Sequence, residues 1–212
     1  MALQLASLPS SVRFGDQAFP SRGRPARFEV EELAGRLVEI AGAEASAALT
    51  LAVGLVLDAQ RQGELAGWVT SDESSFYPPD VAESGVDLES LVVVRVPVAS
   101  RRVSVATAAE RLARSGAFAL VVLHLGKEAV IASPLQSRLL GLAQRHHTAL
   151  VCLTEKDERA PSLGSLVSLR AQGSREWTAV DRFRCTLGIL KDKRRGPTWS
   201  HVEECRGPSG LR

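Results

Sequence analysis

Cysteine is scarce in this chain. Cys152, Cys185 and Cys205 are the only three, and none stands in a C-x-x-C spacing. An odd, sparse set excludes a disulfide framework and fits a reducing compartment. An excess of one charge is also lacking. The 26 Lys and Arg nearly balance the 24 Asp and Glu, leaving a net charge of +2. So small a balance does not by itself mark a nucleic-acid binder. No apolar run approaches the roughly 18 residues a membrane helix needs. The start Met1-Ala2-Leu3-Gln4-Leu5 has no basic region before an apolar core, so it does not read as a secretory signal. Repeats and low-complexity blocks are missing too. These absences set the expectation of a cytoplasmic protein with no membrane contact. With 212 residues, 45% of them apolar, one α/β domain with a sizeable core is in reach.

What is present centres on Gly35–Thr50. It reads as a strand, a small-residue loop and the start of a helix, the layout of a phosphate-binding loop. Such a loop aims backbone N–H groups and a helix N-terminus at phosphate oxygens. The full pattern is G-x-x-x-x-G-K-[ST]. Counting from Gly42 puts Ala47 on the second glycine, Ala48 on the lysine and Leu49 on the hydroxyl. The frame is kept, but the cation and the magnesium ligand are gone.

Along the chain, residues 1–27 are rich in Ser, Pro, Arg and Gly and read as a lead-in. Within it, Val12 and Phe14 alternate with Ser11 and Arg13 as in a short edge strand, able to add to another protein's sheet. Strands are predicted over 36–41, 65–70, 91–97, 118–125 and 148–154. Helices are predicted over 47–60, 78–84, 106–115 and from a Ser133 cap to His147. The 91–97 strand reads as buried and parallel, and 118–125 as central. Segments 166–172, 182–190 and 198–203 read as a closing strand meander. The expected division is a lead-in over 1–27, one domain over 28–205 and a tail over 206–212. Alternation followed by a meander predicts α/β architecture, mostly parallel, with an antiparallel extension.

Four motifs in order resemble the RecA family of recombinase ATPases. Gly35-Arg36-Leu37-Val38-Glu39-Ile40 with Gly42-x-Glu44 resembles its first strand and phosphate loop. Ala59-Gln60 resembles its next segment, and Gly85-Val86-Asp87-Leu88-Glu89-Ser90-Leu91 its G-V-D run. Gly188-Ile189-Leu190-Lys191-Asp192-Lys193 resembles its late V-V-K-N-K strand. The likeness runs from about residue 35 to 200. It implies a RecA-like core with a twisted sheet flanked by helices. It also implies that Ser11–Gly15 resembles the segment by which RecA protomers dock on a neighbour.

The departures point away from catalysis. Where the family carries a magnesium-site aspartate, this chain has His124, a poor ligand for hard Mg²⁺. Thr154-Glu155 replaces the family's polar Asn-Gln switch. The loops corresponding to the DNA-binding loops are short, and the second carries Glu155, Asp157 and Glu158, which oppose a phosphate backbone. Glu73 matches the water-activating glutamate. Lys191 and Lys193 match lysines that reach a neighbour's nucleotide. A site whose parts act as a unit fails when several are lost. No ATP hydrolysis, cofactor or metal is therefore expected, and Gly42, Glu44, Ser46, Thr50 and Glu73 form a remnant pocket.

Other candidates are weaker. His146-His147 fits cations at a helix C-terminus. His124 reads as a core or cleft residue rather than a metal ligand with Cys152. The run Lys191-Asp192-Lys193-Arg194-Arg195 could be a solvated strand end, a protein contact or a phosphate contact. Among RecA relatives, small chains with a disarmed loop resemble the ImuA-type mutagenesis accessory proteins. That resemblance implies docking to RecA or to subunits of an error-prone polymerase, through Val12, Phe14, Lys191, Lys193, Arg194 and Arg195. It also implies self-association, and weak or indirect contact with DNA. The alternatives are a cell-division inhibitor of the SulA type and a weak nucleotide sensor.

Overall fold

The computed structural model describes residues 27–43, 46–74, 76–100, 103–127, 129–179, 182–197 and 199–206. The Val12 and Phe14 strand, Glu44 of the remnant pocket and nearly all of the tail lie outside the described residues.

One eight-stranded sheet carries the molecule, in the order β3-β2-β4-β5-β1-β6-β7-β8. Its strands are β1 (Leu37–Ala41), β2 (Leu65–Ser71), β3 (Leu91–Val96), β4 (Phe118–Gly126), β5 (Ala149–Thr154), β6 (Leu169–Ala179), β7 (Arg182–Asp192) and β8 (Ser200–Arg206). From β3 to β6 all neighbours are parallel; β7 and β8 add antiparallel. The α/β architecture with an antiparallel end is therefore the one the sequence predicts.

The helices are α1 (Val30–Leu33), α2 (Ala48–Arg61), α3 (Pro78–Glu83), α4 (Val105–Ser115) and α5 (Ser133–His146). Leu51, Ala52, Leu55, Val56 and Ala59 of α2 fall on one stripe and bury against Val38, Ile40, Trp68 and Leu120, with α1 and α3 on the same side. Ala106, Ala109 and Ala113 of α4 and Leu139 and Ala143 of α5 bury on the other side, against Leu37, Val69, Val121 and Leu150. Small alanines let α4 lie close to the sheet. Ser104 caps α4, its Oγ accepting from the Thr107 amide, and left-handed Gly116 ends it.

Three predicted details shift. The α5 cap is Ala132, with Ser133 and Pro134 in the first turn, and no side chain caps that end. β3 is parallel but is an edge strand, with Val92 39% and Val93 36% exposed. β6 does not stop at Gln172. Gln172 pairs with Ala41, the last residue of β1, and β6 runs on through residues 173–179. At the usual rise per residue it stands roughly 20 Å beyond the sheet's carboxyl edge.

Candidate functional site

The phosphate-loop region lies where β1, β4 and β5 end, beside the middle of β6. All five residues of β1 are buried, and the Gly42 amide donates to Thr154 O at 3.0 Å. The chain then turns into α2. Ser46 folds back over Gly42 so closely that a Cβ on Gly42 would lie 1.7 Å from Ser46 Oγ. That hydroxyl accepts from the Ala48 amide at 3.0 Å. Gly173 of the extended β6 covers the same turn, and a Cβ there would come within 3.2 Å of Ala48 N. In a loaded phosphate loop, amides of this first turn face the anion. Here the Ala48 amide is bonded within the chain, Ala47 is fully buried, and Leu49 is 37% exposed. Thr50 follows, half-buried.

His124 is half-buried near the end of β4, opposite Leu153 of β5. Its Nδ1 lies 3.3 Å from Thr70 Oγ1, which in turn donates to Ser74 Oγ. The ring stands edge-on to Trp68, centroids 6.4 Å apart. Burial pushes its pKa below the ordinary imidazole value, with Glu155 pulling the other way. A neutral imidazole held by a hydroxyl and an indole is no replacement for a magnesium carboxylate. Glu73 is exposed on the turn after β2. Cys152, buried with its thiol pushed up by desolvation, is neither a ready ligand nor a nucleophile. Among the described residues no His, Cys, Asp and Glu group of three or more is placed to hold a metal.

A buried electrostatic cluster lies just beneath, and its centre is Glu39, which the sequence reading did not single out. Glu39 sits in mid-β1 with its side chain fully buried. Its carboxylate accepts from Ser162 Oγ at 2.8 Å and from the Leu163 amide at 2.9 Å. Thr154 Oγ1 reaches it at 3.3 Å, Lys156 Nζ at 3.4 Å and Arg170 Nε at 3.8 Å. A buried carboxylate persists only when paired and hydrogen-bonded. This one ties the 155–164 loop to the sheet. The signal was a lone glutamate inside an apolar strand.

The basic cluster after β7 is mostly engaged. Lys193 Nζ donates to Ser165 O at 2.6 Å. Arg194 reaches Glu32 O and Ala34 O, each at 3.3 Å, and Arg195 pairs with Glu32 at 2.9 Å. Lys191 is half-buried, and desolvation with the neighbouring Lys193 lowers its pKa. These residues lie where β6 begins, so they and the loop occupy opposite edges of the sheet.

The fold and the loop define a class: an α/β protein built on a phosphate-loop sheet. The RecA N-terminal domain family model matches residues 31–152, and the chain belongs to that family. It is 30% identical to Protein RecA of Rubrobacter xylanophilus over 145 residues, 59% of this chain and 41% of that protein. With Protein RecA of Treponema denticola it shares 30% over 155 residues, 68% of this chain and 34% of that one. Protein RecA of Chlorobaculum parvum is 38% identical over 88 residues, 42% of this chain and 24% of that protein. The chain thus spans less than half the length of the RecA proteins it matches. No helix among the described residues is long and apolar enough to cross a membrane.

Proposed function

We propose that this chain is a non-hydrolysing RecA-family protein that acts by docking on partner proteins in the DNA-damage response. RecA itself and an error-prone polymerase assembly are the partners, and the setting is translesion mutagenesis, as in the ImuA-type accessory proteins. The observation that carries the reading is the carboxyl edge of the sheet. Exposed apolar side chains follow one another along it: Val98 after β3 at 57%, Tyr77 after β2 at 59%, Val130 after β4 at 84% and Trp177 on the β6 overhang at 71%. Exposed aromatic and aliphatic anchors suit a protein partner.

The loop supports the same reading. Ala48 and Leu49 supply neither charge nor hydroxyl, and the Ser46 hydroxyl occupies the Ala48 amide. Losing the loop lysine alone removes a charged hydrogen bond of about 1.5–3 kcal/mol. The experiment is overproduction in cells treated with a DNA-damaging agent. Altered damage-induced mutation frequency with normal division is the expected result. Filamentous cells with unassembled division rings, without damage, would replace this reading with a SulA-type division inhibitor.

A further inference from the structure

Exposed cations concentrate on two neighbouring helices of this nearly neutral molecule. Arg111 and Arg114 on α4 and Arg138 and Arg145 on α5 are all exposed. The one carboxylate on either helix is Glu110, 6% exposed. It is shared by two of them, with Arg114 Nη2 at 2.8 Å and Arg138 Nε at 3.0 Å. The Arg138 hydrogen bond holds its carboxyl below the usual range despite burial. Arg111 and Arg145 have no acidic partner among the described residues. The two helices end side by side: a Cβ on Gly116 would lie 2.7 Å from His146 Nδ1. The helices of the opposite face are mixed in charge, with Glu31 of α1, Arg61 of α2 and Asp80 of α3 all exposed.

Helix dipoles account for part of this. Arg114, Arg145 and His146 lie in last turns, where cations are favoured. Arg111 and Arg138 are further inside their helices, where the dipole offers little. The face also lacks what other partners need. None of the exposed large hydrophobic residues lies on α4 or α5. A protein interface core needs buried apolar or aromatic anchors, and membrane insertion needs an apolar helix face. Guanidinium groups without apolar anchors match phosphate oxygens, which they bind in bidentate fashion.

We propose that the α4/α5 face contacts the nucleic-acid phosphate backbone, weakly and without sequence preference. This site is separate from the carboxyl-edge docking surface. The acidic 155–164 loop borders the start of α5, where Gln136 donates to Leu163 O at 2.9 Å, and Arg145 lies in the last turn of that helix, at the far end from the loop. Four arginines offset by one carboxylate give a salt slope of about −3 on a duplex. Affinity at physiological salt falls in the non-specific range, on the order of 10⁻⁴–10⁻⁶ M.

The test is fluorescence anisotropy of a short labelled duplex with the full chain, at about 50 and about 200 mM salt. Wild type should bind and lose affinity steeply with salt. The double variant Arg111→Ala with Arg145→Ala should bind roughly tenfold more weakly at low salt, with a slope shallower by about 2. Arg145→Ala alone should reduce the slope by about 1, which keeps the test readable if the double variant folds poorly. Arg61→Ala, on the other face, and Trp177→Ala, in the docking edge, should bind the duplex like wild type. Loss on Trp177→Ala, wild-type affinity and slope in the arginine variants, or no binding at low salt would overturn the proposal. So would arginine-dependent binding to anionic phospholipid vesicles in preference to the duplex.

Discussion

The Arg36 guanidinium, one residue before β1, and the Asp192 carboxylate, the last residue of β7, form an ion pair with side chains 5% and 0% exposed. Asp192 gathers further donors: the Arg194 amide at 2.9 Å and Trp199 Nε1 at 3.2 Å. Arg36 also donates to Ser168 Oγ at 3.0 Å. Three segments meet at one carboxylate: the start of β1, the end of β7 with the turn after it, and the stretch before β8. The antiparallel extension is thereby fastened to the parallel core beside its central strand.

Asp192→Ala should therefore cost far more than a surface pair. Removing one partner of a buried pair costs about 3–5 kcal/mol, because the other charge stays buried and unpaired. Guanidinium unfolding at neutral pH checks this. Asp192→Asn separates charge from shape and should still lose a large part.

The same pair predicts a pH dependence. Burial alone would raise the Asp192 carboxyl, but the Arg194 amide and Arg36 outweigh it, and the pKa lies below the ordinary 3.8. Burial pushes Arg36 below its ordinary value too, yet arginine remains charged. A carboxyl depressed in the folded state contributes stability above its unfolded pKa. That contribution fades as pH falls through the folded pKa. The stability gap between wild type and Asp192→Asn should be full near pH 7 and narrow below about pH 4. A gap constant down to pH 2 would contradict the assignment.

Glu39 gives a loop prediction. Glu39→Gln leaves Lys156 and Arg170 without their buried counter-ion, and a loss of about 3–5 kcal/mol is expected. Hydrogen exchange should locate the damage, with the Leu163 amide, bonded to Glu39 at 2.9 Å, losing protection first. Uniform loss across the sheet would mean that Glu39 does not specifically tether the loop.

These two carboxylates show where the sequence stops being readable. Local signals place the helix ends well: Gly63, Gly85 and Gly116 each take the positive φ that glycine favours. Apolar runs place β1, β4 and β5. The partner of Glu39 on the loop, and of Asp192 before β1, lies more than a hundred residues away, so no local pattern reveals the pairing. Asp192 even reads as part of a basic run. The β6 overhang was missed for a related reason. Ser174-Arg175-Glu176-Trp177 has no apolar alternation of its own. It is a strand because β7 pairs with it residue by residue. At the site, the vacant lysine position could be read directly, but the Ser46 back-bond could not.

ATP turnover tests the disarmed loop. Purified protein with Mg²⁺ and single-stranded DNA should release no phosphate above the blank. Glu73→Gln should change nothing, because an exposed glutamate without a bound triphosphate has nothing to activate. Turnover at rates typical of RecA proteins, abolished by Glu73→Gln, would establish an enzyme instead.

The last prediction concerns the β6–β7 overhang. Trp177 is 71% exposed, and its ring rests on Phe183 with centroids 4.2 Å apart. Arg175 lies over the other ring, 4.7 Å from the Phe183 centroid. Phe183 is buried, so the stack orients the indole outward on a firm base. A pre-oriented aromatic loses little entropy on binding, which is how such residues become anchors. Truncating an anchor commonly costs 2 kcal/mol or more, on the order of 30-fold in affinity. Trp177→Ala should weaken capture of RecA or of the polymerase assembly by about that factor. The melting temperature should barely move, because most of the ring already faces water. Phe14→Ala and a deletion of residues 1–20 belong in the same pull-down, since the N-terminal segment is the other expected anchor. If Trp177→Ala binds like wild type while Phe14→Ala does not, docking runs through the N-terminal segment and the carboxyl edge is not the interface. If neither change matters, neither the overhang nor the N-terminal segment carries the docking.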